Sequence, residues 1–395
     1  MNSMNPIIYA SDRYKRFFAK SINNIHNTRS LRIRTINNAT IVIEPNTQRF
    51  GVFDAKGNII KESLQLRNKI VQQAPVFTSE AEVLDIDAVY LGTLEDHFGH
   101  FLLEHTNRLY SALYHKYKNV KYIILNNRNL QKIPDFVLEF LAALGIKKSD
   151  IYLINTNVKV KCLYVPPVAF EIPNKYSLEF AKIFDSASTR IHPKLYFDKI
   201  YVSREKLPNR ATFGESCIQK IFEKNGFVVI HPEQLSLSKQ IEYMSHCKCL
   251  AGIAGSALHL SLFMPNGGRV IQIKRNKLLA DNSDTQYLLC KIKKCNFVLV
   301  DCAKEILPTH HWSEFPQIIG PTKYLKQFLH DYKFIYNEQD LICNDKTRQK
   351  YRHAFRAKGG FMRYQIKRML VYAVPRIMPS EQIKNSVRRW LNKHL

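Results

Sequence analysis

The chain has 395 residues, of which 45% are hydrophobic and 23% charged, and its formal net charge is +26. Such usage fits two globular domains, or three, and excludes a disordered, collagen-like or disulfide-scaffold protein. No apolar run reaches the roughly 20 residues of a bilayer-spanning helix, Met1–Pro6 lacks the pattern of a signal peptide, and the eight cysteines are scattered as reduced thiols are, so a cytoplasmic location is expected.

In chain order, residues 1–38 are polar and basic and carry no assignable period. Ala39–Glu44 and Gly51–Asp54, then Ile59-Ile60, read as short strands joined by turns. From Val89 the rhythm becomes strand and helix in alternation. A strand at 89–92 precedes a long helix from about Gly99 to His115, a strand at 121–125, a helix at 133–144 closed by Gly145, and a strand at 151–154. Pro166-Pro167 interrupts the pattern and marks a joint. Beyond it, helices at 177–188, 214–225, 237–246, from 256 and at 282–293 alternate with strands at 199–203, 227–230, 248–252 and 269–273. The expectation is an α/β protein of two doubly wound units facing a cleft, divided as 39–167 and 168–330, with a basic helical extension over 331–395. Residues 346–395 hold 14 Lys or Arg against the single acid Glu381, half of the chain's excess.

Three segments carry chemistry. In Asp96–His105, His97, His100 and Glu104 fall on one face of the expected helix. An imidazole held by a carboxylate is what a general base for a hydroxyl requires, and the same spacing can bind a metal or simply be buried. In Tyr201–Arg210, Arg204 and Arg210 follow a strand where guanidinium groups can grip phosphate oxygens, with Glu215 to orient one of them; solvated loop arginines are the plain alternative. In Gly252–His259, a glycine turn leads into a helix whose first N–H groups attract a diphosphate. It is not GxGxxG, and no Walker lysine follows. Asp85-Ile86-Asp87 comes too early for the metal-binding Asp-x-Asp of a nucleotide-sugar transferase, and Cys247-Lys248-Cys249 lacks the second half of a zinc site.

The ordered strings HFGHFLLEHxxRL, YVSRxxxxxRxxxxE, GFxVIHPEQLSLSKQI and GxxGSALHxxLFMPxGGRVIQI, from about Tyr90 to Ile273, resemble glycosyltransferase family 61, which includes bacterial enzymes of capsule and surface-polysaccharide synthesis. The resemblance implies a GT-B architecture, with two Rossmann-like domains: 39–167 on the acceptor side and 168–330 binding the nucleotide sugar. It also implies inverting transfer of a hexosyl or pentosyl group from a nucleotide sugar to a glycan or lipid-linked acceptor, with no obligatory metal and no cofactor besides the donor. By position, His100 is the general base supported by Glu104 and His97. Arg204, Arg210, Glu215, Gly255, Ser256, Ala257 and His259 bind substrate. Two departures stand out: Ala254 where many members have His, and Gln272 where they have an acid.

Ile383, Val387, Trp390 and Leu391 share one face of a basic amphipathic segment, and Phe361–Val374 is similar. Residues 361–395 can therefore bind an anionic membrane surface, placing the enzyme on the inner face of the plasma membrane, or pack back on the N-terminal half. The alternatives are a catalytically inactive sugar- or nucleotide-binding relative and a basic nucleic-acid-binding protein. The second is opposed by the absence of any recognised nucleic-acid motif, so no specific nucleic-acid partner is expected.

Overall fold

The computed structural model describes residues 5–28, 30–44, 47, 49–64, 66–67, 70–114, 117, 120–126, 130–207, 212–304, 316–342 and 345–357. Arg210 and the amphipathic tail segments at 361–395 lie outside them. Two six-stranded sheets organise the chain. The first contains β2 (Arg34–Ile43), β3 (Phe50–Phe53), β4 (Glu82–Thr93), β5 (Lys121–Leu125), β6 (Ile151–Ile154) and β7 (Val158–Val165) in the order β3-β2-β7-β4-β5-β6. Strands β7, β4, β5 and β6 are parallel, while β2 and β3 add antiparallel strands at one edge. The sheet is therefore mixed where a doubly wound parallel unit was expected, because β2 and β3, consecutive in the chain, pair antiparallel.

The second sheet holds β1 (Ile7–Tyr9), β8 (Lys199–Val202), β9 (Val228–Ile230), β10 (Cys249–Ile253), β11 (Arg269–Lys274) and β12 (Asn296–Asp301) in the order β1-β12-β11-β10-β8-β9. Its strands β9, β8 and β10 are parallel. Residues 200–202 and 250–253 are buried and wholly apolar apart from a glycine and the Tyr201 hydroxyl, as strands covered on both faces must be. The N-terminal segment, which had no legible period, supplies β1 and helix α1 (Asp12–Ile22). Phe18 of α1 stacks on Phe297 at 6.0 Å and meets Tyr287 edge-on at 5.9 Å.

Apart from β1, the two sheets fall on either side of Pro166-Pro167, but the chain's two compact units are cut elsewhere. The first unit comprises residues 1–202, 227–272 and 282–299; the second comprises 203–226, 273–281 and 300–395. In the first, helices α2 (Asp135–Ala143) and α3 (Leu178–Thr189) join an aromatic cluster. Phe101 meets Phe140 at 5.5 Å, Phe140 meets Phe184 at 5.7 Å, and Phe184 meets Phe263 at 5.3 Å. Rings at these separations favour the edge-to-face geometry seen for Phe101 and Phe263. Helices α5 (Leu237–Met244) and α6 (Ser283–Ile292) complete the set used below.

In the second unit, α4 (Glu215–Lys224) packs its Phe222 against Phe328 of α7 (Lys323–Asp331) and against Phe334, at 6.3 and 5.2 Å. Tyr351 and Phe355 of α8 (Asp345–Ala357) cluster with Ile318. Among the described residues, no helix is long and apolar enough to cross a membrane.

Phe184 is fully buried at the centre of the first unit's aromatic cluster. Phe184→Ala should lower unfolding free energy by about 3–5 kcal/mol. Urea denaturation followed by circular dichroism measures this; a loss under about 1 kcal/mol would show that the cluster repacks.

Candidate active site

The long helix expected over 99–115 is three short pieces. Phe98–His100 is one α-turn, Phe101–His105 a π-turn and Leu109–Leu113 a 3-10 turn. Thr106 explains the break. Its hydroxyl donates to the Leu102 carbonyl at 2.8 Å, the acceptor its own N–H would use in an α-helix, and that N–H bonds Phe101 O instead at 3.1 Å. His97 therefore does not share a helix face with His100 and Glu104. It stands at the N-cap, where its Nδ1 accepts the His100 backbone N–H at 3.3 Å.

His100 Nδ1 is paired with a Glu104 carboxylate oxygen; the side chains are 30% and 10% exposed. The pair is open enough for a ligand and dry enough to hold one geometry. The rings of His97 and His100 lie 4.7 Å apart at 60°. His105, next along, is buried; burial draws its imidazole below the ordinary value, so it is neutral, and its Nε2 has no hydrogen-bond partner.

The glycine turn meets this segment directly. After β10 the backbone is extended at Gly255 (φ 156°, ψ 177°) and then enters Ser256–Phe263, an eight-residue 3-10 helix where an α-helix start was expected. A Cβ placed on Gly99 would lie 2.8 Å from the Cβ of Ser256, a distance real Cβ atoms do not tolerate. Glycine at 99 thus lets the histidine turn sit on the glycine turn. Gly255, Ser256, Ala257 and His259 are all half-buried there. His259 bonds Gln286 through Nδ1 at 3.0 Å. Burial holds its imidazole down to about 4, and the nearby His100 and His97 act in the same direction. The sequence assigned these two segments to opposite sides of a cleft; the structure brings them together within the first unit.

Arg204 and Glu215 belong to the second unit. Arg204 lies in the loop after β8, as expected, but is buried, 8% exposed, and not solvated. Its backbone N–H donates to both oxygens of the fully buried Glu215 carboxylate, at 3.0 and 3.1 Å, so Glu215 orients the arginine through its main chain. Gly214 turns the chain into α4 at φ 88°, with no room for a Cβ against the Ile319 carbonyl.

Sequence reasoning missed Lys274. Its Nζ donates to Leu278 O and Asp281 Oδ2, both at 2.6 Å, and the pair is 2% and 4% exposed. Burial pulls this ammonium down while Asp281 pulls it up. Nothing in the string KRNKLLAD marks such a pair; only its burial does. The departure at Gln272 has a local partner, since its side chain donates to the Ser283 hydroxyl. Asp85 is exposed and pairs with Lys161 at 3.3 Å. Among the described residues, no three His, Cys, Asp or Glu side chains are grouped as metal ligands would be.

Residues 98–271 match the family model described as Glycosyltransferase 61. That stretch contains every candidate residue except His97, and the resemblance read from the four motifs holds. The matched stretch is thus a glycosyltransferase family 61 domain. One similar solved structure is the bacterial iron-containing dodecameric glycosyltransferase TibC from enterotoxigenic E. coli H10407, at 10% identity, over 65% of this chain and 81% of that one, with a TM-score of 0.27. No curated protein matches the chain.

Two outcomes test this geometry. Gly99→Ala should leave the protein folded but shift the histidine turn off Ser256, cutting turnover about 100-fold; wild-type turnover in that variant would show that the contact does not align the site. Between the ordinary imidazole value and about 4, the unfolded chain takes up a proton that folded His259 refuses. This stabilisation is present above about pH 6.5 and is lost as pH falls towards 4. Thermal melts of His259→Asn should therefore show a shallower loss of stability with acid than the wild type; equal slopes would count against a neutral His259.

Proposed function

We propose that the chain is an inverting glycosyltransferase. It moves a hexosyl or pentosyl group from a nucleotide sugar to a hydroxyl of a glycan or lipid-linked acceptor during capsule or other surface-polysaccharide synthesis. One observation carries the reading: an imidazole paired with a carboxylate is seated on a glycine turn and helix start within one compact unit. Glu104 accepts the proton of His100 Nδ1, which leaves Nε2 to take the proton of the acceptor hydroxyl. The hydroxyl oxygen then bonds to the anomeric carbon on the face opposite the nucleotide. The bond from that carbon to the diphosphate oxygen breaks, its electron pair leaves with the diphosphate, and the configuration inverts.

Developing charge on the leaving group is met by the N–H groups at Ser256, in a reaction that needs no metal, and Arg204 and Arg210 are substrate-binding residues of the other unit. The reading entails a GT-B arrangement whose closure excludes water, the competing acceptor. Residues 361–395, outside the described part of the chain, would hold the enzyme at an anionic membrane surface near a lipid-linked acceptor.

The test is a titration of the purified protein with nucleoside diphosphates and nucleotide sugars at physiological salt, followed by thermal shift. Arg204→Ala and His100→Ala are carried alongside. One nucleotide class should stabilise the wild type, Arg204→Ala should lose that response, and His100→Ala should keep it while turnover falls about 100-fold or more. No response from folded wild type sinks the transferase reading. Unchanged function in His100→Ala would instead favour the inactive sugar-binding relative.

A further inference from the structure

Gln286 of α6 is 2% exposed and reaches the glycine-turn helix from outside the recognised motifs. Its Nε2 donates to the Leu258 carbonyl at 3.2 Å and to Ser261 Oγ at 2.9 Å, and its Oε1 lies 3.0 Å from His259 Nδ1. A carbonyl oxygen can only accept, so the amide nitrogen must face Leu258 and the amide oxygen His259; the flipped amide would set two acceptors against each other. Nδ1 of His259 therefore bears the proton. In the neutral ring the lone pair is on Nε2, which has no hydrogen-bond partner among the described residues.

The neighbouring rings sort the same way. His97 accepts at Nδ1, so its neutral ring bears the proton on Nε2, while a neutral His100 ring giving its Nδ1 proton to Glu104 has its lone pair on Nε2. Two of the three imidazoles thus offer acceptors. The diphosphate of a nucleotide presents only acceptor oxygens, whereas a sugar hydroxyl brings a donor.

We infer that Gln286 is a positioning residue that fixes His259 as a hydrogen-bond acceptor for a substrate hydroxyl, which takes His259 out of the diphosphate site. The assignment of the hydroxyl rests on the transferase reading; the state of the ring does not. The substrate class that follows is a saccharide with a free hydroxyl besides the one His100 deprotonates.

Nitrogen NMR of the full chain labelled with 15N at histidine, with His259→Asn to identify the signals, reads the tautomer without any assay of activity. At about pH 7 the His259 ring should show a proton-bearing Nδ1 and a pyridine-like Nε2. A proton on Nε2, in the other tautomer or in an imidazolium, overturns the inference. Calorimetry with UDP, GDP and ADP supplies the second arm. His259→Asn should bind the nucleotide that the wild type binds within about two-fold, whereas a loss of about ten-fold or more, as when a charge-assisted hydrogen bond is removed, would return His259 to the phosphates. Gln286→Glu, whose carboxylate accepts the same Nδ1 proton, should raise the pH at which His259 titrates; an unmoved titration in that folded variant would make Gln286 merely structural. If folded wild type binds no nucleotide, the transferase reading and the hydroxyl assignment fall together, and the ring spectrum still decides the tautomer.

Discussion

The site depends on a contact between two glycine-dependent turns. Gly99 and Ser256 are more than 150 residues apart in sequence, yet the Gly99 backbone lies so close to the Ser256 side chain that one methyl group would separate them. Such a contact is useful only if the segments behind it are rigid, because a loose pair of turns would open by more than the contact's own width. Rigidity comes from the phenylalanines. Phe101, one residue after His100, leads through Phe140 to Phe263, the last residue of the helix that begins at Ser256, with ring separations of 5.5 and 6.0 Å. The histidine turn and the glycine turn thus meet twice, at the Ser256 side chain in the site and through buried rings beneath it. Core packing supplies the precision that hydrogen bonds from exposed histidines alone would not.

Much of this architecture was legible because parallel strands are short, apolar and separated by amphipathic helices. The strands at 121–125, 151–154 and 269–273 stand within a residue of where the pattern put them. The failures share a cause, which is that the deciding interaction was not local. Strand β1 belongs to a sheet made otherwise from residues 199–301, so no period in the first 38 residues could announce it. The helix over 99–115 had the right composition, but a hydroxyl at Thr106 competes for a backbone carbonyl, and propensity does not count that competition. At the site, the residue types and their order were readable: histidine, carboxylate, arginine, glycine. Which of them meet was not. The buried Lys274–Asp281 pair and Gln286 were invisible for the opposite reason, since their significance lies in burial and in the chemistry of a partner, not in spacing.

Protonation in the site is organised by neutral partners as much as by charge. A backbone N–H sets His97, a carboxylate sets His100, and an amide sets His259. An amide oxygen fixes a tautomer and favours the imidazolium through its hydrogen bond alone, here outweighed by burial, whereas a carboxylate adds its full charge. Adjacent rings can therefore differ in basicity while exposing the same nitrogen.

The edge position of β1 also has a consequence for how the protein is made. Ile7–Tyr9 is synthesised well before its neighbour in the sheet, β12, residues 296–301. At roughly 5–20 residues per second, the first strand waits on the order of 15–60 s for the edge it completes. During synthesis the nascent chain carries an unpaired strand and, in α1, an uncovered Phe18, features that invite chaperones or neighbouring chains. Closing that long loop is then a late, entropically slow step that ties the sheet's first strand in chain order to its last.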